Sequence, residues 1–138
     1  MTNSSDTINA MVGTGLDENT GDFGLATKAS IYYPMGIAFG LNGIGFVSTA
    51  HCVRALNTYG TFATVAGTCD SGGFAGDTGA SITARLNAPQ SLVVDPNGRV
   101  FFADSGNHRI RMLTPIPALR LELVSGDKQS RLATAPLD

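Results

Sequence analysis

Apolar residues come in short bursts along this chain, with glycine, proline, asparagine or aspartate between them. Bursts this short, set between turn formers, predict strands rather than helices. In the second half they fall at residues 91–95, 100–104, 109–113 and 119–124. In the first half they fall at 36–40, 45–49, 52–56 and 61–66. Asp95-Pro96-Asn97-Gly98 joins the first two strands of the later group as a hairpin turn, with Pro96 presetting φ and Gly98 taking a positive φ. The pattern also changes across the group. Leu92-Val93-Val94 is continuously apolar, as in a strand buried on both faces. Leu119-Arg120-Leu121-Glu122-Leu123 alternates, as in a strand with one wet face.

The two groups are copies of one unit. Gly21, Asp22, Gly24, Ala29 and Pro34 recur as Gly76, Asp77, Gly79, Ala84 and Pro89, at an offset of 55. Asn42-Gly43 recurs as Asn97-Gly98 at the same offset. Val12-Gly13-Thr14 matches Ala66-Gly67-Thr68 at 54, and His51, Val53, Arg54 and Leu56 match His108, Ile110, Arg111 and Leu113 at 57. Small insertions of this kind belong in loops. A repeated four-stranded sheet, graded from buried to exposed, is the blade of a β-propeller with its inner strand first. The expected fold is therefore all-β: two four-stranded antiparallel blades of a partial β-propeller, plus an N-terminal outer strand at residues 8–12. Residues 1–138 form one partial propeller, with blade one at 34–67, blade two at 89–125 and a tail at 126–138.

The second unit resembles a known family. It reads Val65-Ala66-Gly67-Thr68, Gly76-Asp77, Leu86-Asn87-Ala88-Pro89-Gln90 and Val94-Asp95-Pro96-Asn97-Gly98, and ends Ala103-Asp104-Ser105-Gly106-Asn107-His108-Arg109-Ile110-Arg111. This resembles an NHL repeat over nearly its whole length. The first unit is degenerate: Ser48-Thr49-Ala50-His51-Cys52-Val53-Arg54 replaces the Asp and Asn-His segment. The resemblance implies a propeller that binds proteins, glycans or RNA. It also admits kinship with metal-dependent lyases or lactone hydrolases built on similar blades.

Composition narrows the function. A hydrophobic content of 43% with 14% charged residues excludes a self-repelling disordered chain. The net charge of -2 gives no basic excess to drive nucleic-acid binding. Five of the seven arginines lie between Arg85 and Arg120, which a solvated strand face accounts for better than a basic patch. The most apolar stretch, residues 35–47, contains Asn42 and four glycines, and a membrane helix needs about 20 apolar residues. The expectation is a soluble chain without membrane insertion and of open localisation. Closed propellers have about four to eight blades. Two blades imply a piece of a larger propeller, self-association (three chains making six blades) or docking on another protein; an open two-blade sandwich is the alternative. The expected role is non-catalytic, in protein interaction or scaffolding, with no cofactor and no metal.

Candidate chemistry gathers on one face. The loop after each second strand and the loop entering the next blade open on the same side. Asp77, Arg85, Asp104, Asn107, His108, Arg109 and His51 are the binding-face candidates there. Asp104, Asn107 and His108 equally suit structural hydrogen bonds within a turn. Cys52 and Cys69 straddle a hairpin centred near Tyr59-Gly60 and are expected to face each other, at a Cβ separation of about 5.5 Å for directly opposed residues. They form a cross-strand disulfide in an oxidising compartment or two buried thiols in a reducing one. The segments around His51 and Ser71 resemble those around the histidine and serine of trypsin-like proteases. Their separation of 20 residues argues against that reading, since the protease fold spreads its triad much further along the chain.

Overall fold

The computed structural model describes residues 5–115. The strand expected at 119–124 and the tail at 126–138 lie outside the described residues. The strands are β1 (Gly24–Leu25), β2 (Gly36–Phe39), β3 (Gly45–Ser48), β4 (Cys52–Leu56) and β5 (Thr61–Gly67), then β6 (Pro89–Val94), β7 (Val100–Asp104) and β8 (Arg109–Leu113). Single 3₁₀ turns lie at Ala26–Lys28, Ser81–Thr83 and Ser105–Asn107. One sheet has the order β1-β5-β4-β3-β2 and the other β6-β7-β8, with every pair antiparallel. The chain is all-β, built as two propeller-type blades.

Pairing fixes which side chains share a face. In blade one Ala38, Phe46, Ala55 and Ala63 stand opposite one another in one row, and Ile37, Val47 and Arg54 stand in a row on the other face. In blade two Leu92, Phe102 and Arg111 share one face, and Val93, Phe101 and Met112 share the other. The main core joins the blades. It packs Phe46, Val53, Ala55, Ala63 and Val65 against Leu92, Val100, Phe102 and Leu113, with Leu86 from the connecting loop. Truncating either buried phenylalanine to alanine costs about 3–5 kcal/mol. A second cluster, on the other face of blade one, packs Val47, Leu56 and Phe62 under Ala26 and Ala29, with Val12 and Ile31 alongside.

The recurring Gly-Asp and Ala positions have a common cause. Gly21 and Gly76 have φ of 89° and 93°. A Cβ at either would stand 2.6 Å from the Cα of Ala29 or Ala84. The loop doubles back tightly enough to make the bridges Thr20 to Ser30 and Ala75 to Arg85. Glycine admits that approach and alanine keeps the opposite wall thin. Positive φ also recurs at non-glycine residues, with Phe23 and Tyr33 in one loop and Thr78 and Ala88 in the other.

Three sequence expectations change. Residues 8–12 form no strand, and Ile8 is exposed. An outer strand needs the inner strands of its own blade, and none stands beside these residues among those described. The added edge strand is instead β1, which pairs with β5. Val93 is exposed, so β6 is buried on one face rather than two. Cys52 pairs with Gly67 rather than Cys69, because the hairpin turns about Tyr59, with Leu56 opposite Phe62 and Arg54 opposite Thr64, and the register shift at Val53/Arg54 moves the pairing by only one residue toward Cys69.

Candidate interaction face

Each blade is pinned to the loop before it by an arginine on its third strand. Arg54 donates from Nη1 to the Ser30 carbonyl at 2.7 Å and from Nη2 to the Thr20 carbonyl at 2.8 Å. Its Nη2 also meets Asp22 Oδ1 at 2.8 Å, and its guanidinium lies 4.4 Å over the Phe62 ring. Asp22 Oδ1 further accepts the Thr64 backbone N–H at 2.9 Å, beside the register shift. Arg111 donates from Nη1 to the Arg85 carbonyl at 2.8 Å and from Nη2 to the Ala75 carbonyl at 2.9 Å. It pairs with Asp77 at 2.9 Å and Asp104 at 3.1 Å. A planar guanidinium suits this multi-point grip, which a lysine ammonium cannot reproduce.

Asp104 is fully buried, so it faces no ligand. Its Oδ1 accepts the Asn87 N–H at 2.7 Å, and its Oδ2 accepts from Asn107 Nδ2 at 2.8 Å and from Arg111. Asn107 Nδ2 also donates to the Gly73 carbonyl at 2.8 Å. Blade one lacks this carboxylate, with Thr49 in its place. There the Tyr32 N–H donates instead to Asn19 Oδ1 at 3.0 Å, so the same backbone donor is satisfied from a different loop.

Loop 68–74 receives three further ties. Cys52 and Cys69 are joined by a disulfide, with Cα atoms 4.7 Å apart. Cys69 reaches Cys52 from beyond the end of β5 rather than from directly across the hairpin. Arg85 Nη2 donates to Ser71 Oγ at 2.6 Å and to the Gly72 carbonyl at 2.7 Å. His51 lies against Gly72, where an added Cβ would meet its ring at 2.8 Å, and its buried Nδ1 has no hydrogen-bond partner among the described residues. The two protease-like segments are thus neighbours in space. Ser71 Oγ is nonetheless held by a guanidinium, not by the imidazole that a nucleophilic serine requires.

His108 and Arg109 remain at the surface. His108 adopts the left-handed conformation and ends the 3₁₀ turn. The Arg109 guanidinium stacks 4.0 Å over the Phe74 ring, and Arg111 lies 5.1 Å from the same ring. The structure therefore brings His51 and Arg85 together around Gly72 and Gly73, and joins Asp77 and Asp104 through Arg111, with Asn107 bonded to Asp104. It leaves His108 and Arg109 outward. The arginines of the second half are not one solvated face: Arg111 is buried, and Arg99 pairs with Asp95 at 2.7 Å. Sequence reasoning missed Phe74 as the platform under Arg109, since no repeat partner marks it. It also passed over Arg54 and Arg111, although their recurrence was a usable signal.

Two antiparallel sheets joined through a shared core, with connecting loops pinned by recurring arginines, define a β-propeller-type blade protein. Residues 86–112 match the family model for the NHL repeat. Blade two is therefore an NHL repeat. Human Teneurin-4 is 31% identical over 105 residues, covering 64% of this chain and 4% of that protein. Teneurin-3 of Danio rerio is 63% identical over 30 residues, covering 22% of this chain and 1% of that protein. Among solved structures, a protein of unknown function from Bacteroides thetaiotaomicron VPI-5482 superposes with a TM-score of 0.66 at 25% identity, covering 73% of this chain and 26% of its own. The chain spans only a small fraction of each of these relatives. No helix among the described residues is long and apolar enough to cross a membrane.

Proposed function

We propose that this chain is a non-catalytic NHL-type propeller module for protein interaction or scaffolding. The observation that carries this reading is the Arg109–Phe74 stack beside exposed His108. Arginine and aromatic side chains on pre-ordered loops are the residue types that dominate protein interfaces. The loops that present them are tied by a disulfide, by Arg85 and by Asn107. Little ordering entropy then remains to oppose binding. The polar groups nearest this surface are engaged in holding backbone, which favours a recognition surface over a reactive constellation.

Affinity capture with the full chain tests the reading, comparing the wild type with the Phe74→Ala/Arg109→Ala double variant. Proteins retained by the wild type are expected to be lost from the variant. Stoichiometric metal in the purified chain, together with lactone hydrolysis, would replace this reading with the enzymatic one.

A further inference from the structure

The contact between the blades defines two faces that fit each other. Blade two brings its near face, with Leu92, Val94 and Phe102, onto the far face of blade one, with Ala38, Phe46 and Ala55. The repeat gives each residue a counterpart in the other blade. An offset of 55 carries Ala38 to Val93 and Phe46 to Phe101, and an offset of 57 carries Val53 to Ile110 and Ala55 to Met112. In blade one these positions lie in the shared core. In blade two Val93 is 62% exposed, Ile110 72% and Met112 51%. The other end mirrors this. Ile37 and Phe39 are the counterparts of Leu92 and Val94, yet they are 53% and 51% exposed.

We propose that the far face of blade two docks, head to tail, on the near face of blade one of a second copy of this chain. This rests on reading the chain as an interaction module and names its partner. Both faces have partners already built into the chain, because each is the repeat-equivalent of a surface used in the existing blade contact. The near face of blade one is prepared for docking. Its outer part is roofed by Ala26 and Ala29, while the inner strip of Ile37 and Phe39 is left clear. The occupant of that strip in the intact contact is an inner strand: β6 runs beside β2, with Gly36 approaching Ser91 and Gly40 approaching Val94. Single exposed apolar residues are ordinary on any surface, but a contiguous row on one sheet face marks a contact site. The contact is heterologous, so it closes when the rotation per copy completes a ring.

Light scattering coupled to gel filtration, on the full chain with its disulfide intact, tests this. The wild type is expected above monomer mass. Ile37→Lys and Ile110→Lys are each expected to be monomeric with an unchanged far-ultraviolet spectrum. Mixed in equal amounts they are expected to form a one-to-one dimer, since one variant keeps an intact far face and the other an intact near face. Phe39→Lys and Val93→Lys form a second pair, should either first variant misfold. A wild type that stays monomeric overturns the proposal, as it would if the chain's own tail covered the face. So does a single variant that keeps the wild-type mass, or a folded mixture that stays monomeric. A monomer that still captures another protein through Phe74 and Arg109 sinks this inference alone and leaves the interaction reading standing.

Discussion

Arg54 and Arg111 occupy the same position in the two blades and grip equivalent carbonyl oxygens: Thr20 and Ser30 in one case, Ala75 and Arg85 in the other. The carboxylates they meet differ. Arg54 has Asp22, whereas Arg111 has Asp77 and the fully buried Asp104. One blade therefore holds an acid that depends on its arginine.

Arg111→Ala should destabilise the chain by about 3–5 kcal/mol, because removing one partner of a buried ion pair strands the other. It also frees two loop carbonyls. Arg111→Lys should recover only part of the loss, since an ammonium cannot span both carbonyls and two carboxylates. Urea unfolding checks both. Equal midpoints for Arg111→Lys and the wild type would show that charge alone, rather than the planar fork, holds the loop.

The disulfide makes a second prediction. It closes a loop with a sequence separation of 17 residues. Chain-entropy arguments put a loop of this size at about 3 kcal/mol. A Cys52→Ser/Cys69→Ser variant should unfold at correspondingly lower urea concentration, and adding reductant should move the wild type toward it. Non-reducing peptide mapping should recover the 52–69 link from protein made under oxidising conditions.

Asp95 supplies the pH dependence. Desolvation opposes its ionisation, but the Arg99 guanidinium and the N–H groups of Arg99 and Asn97 outweigh it and hold the carboxyl below its ordinary value of 3.8. A carboxylate with a depressed folded value stabilises the fold above its unfolded value. That stabilisation is lost as pH falls through the folded value. Asp95→Asn should therefore show a shallower fall in stability on acidification below about pH 4 than the wild type, measured by urea midpoints across that range. A parallel fall in both would mean that the turn gains nothing from this charge.

Much of the fold was legible because its signals are local. The turn at 95–98 and the short apolar bursts of β6, β7 and β8 need only neighbouring residues to be read, and the 55-residue repeat needs only the chain compared with itself. The cysteine register was misread because the hairpin turns about Tyr59 rather than midway between the cysteines, and the one-residue shift at Val53/Arg54, which no residue type there announces, offsets this only in part. The exposure of Val93 was misread for a different reason: three apolar residues in a row look alike whether or not a further blade covers them. The site was the least legible part. Asp104, Asn107 and Asp77 are the polar residue types that binding would use, and only tertiary placement shows them spent on Arg111 and on backbone groups. Phe74 becomes visible only once Arg109 is seen above it.

Two glycines separate backbone strain from crowding. Gly76 and Gly98 have nearly the same positive φ, 93° and 87°. An added Cβ at Gly98 meets nothing within 4 Å, whereas at Gly76 it stands 2.6 Å from the Cα of Ala84. Gly98→Ala should therefore carry only the left-handed penalty of about 1–2 kcal/mol. Gly76→Ala carries that penalty and must also push apart the two limbs that form the Ala75–Arg85 bridge. Those limbs supply the carbonyls that Arg111 grips. Gly76→Ala should thus cost clearly more, and should lose part of its effect in an Arg111→Ala background, where the grip is already gone. A double-mutant cycle read by urea unfolding measures that coupling. Additive effects would show that the loop closes independently of the arginine, whereas coupling would make Gly76 and Arg111 parts of one latch between the blades.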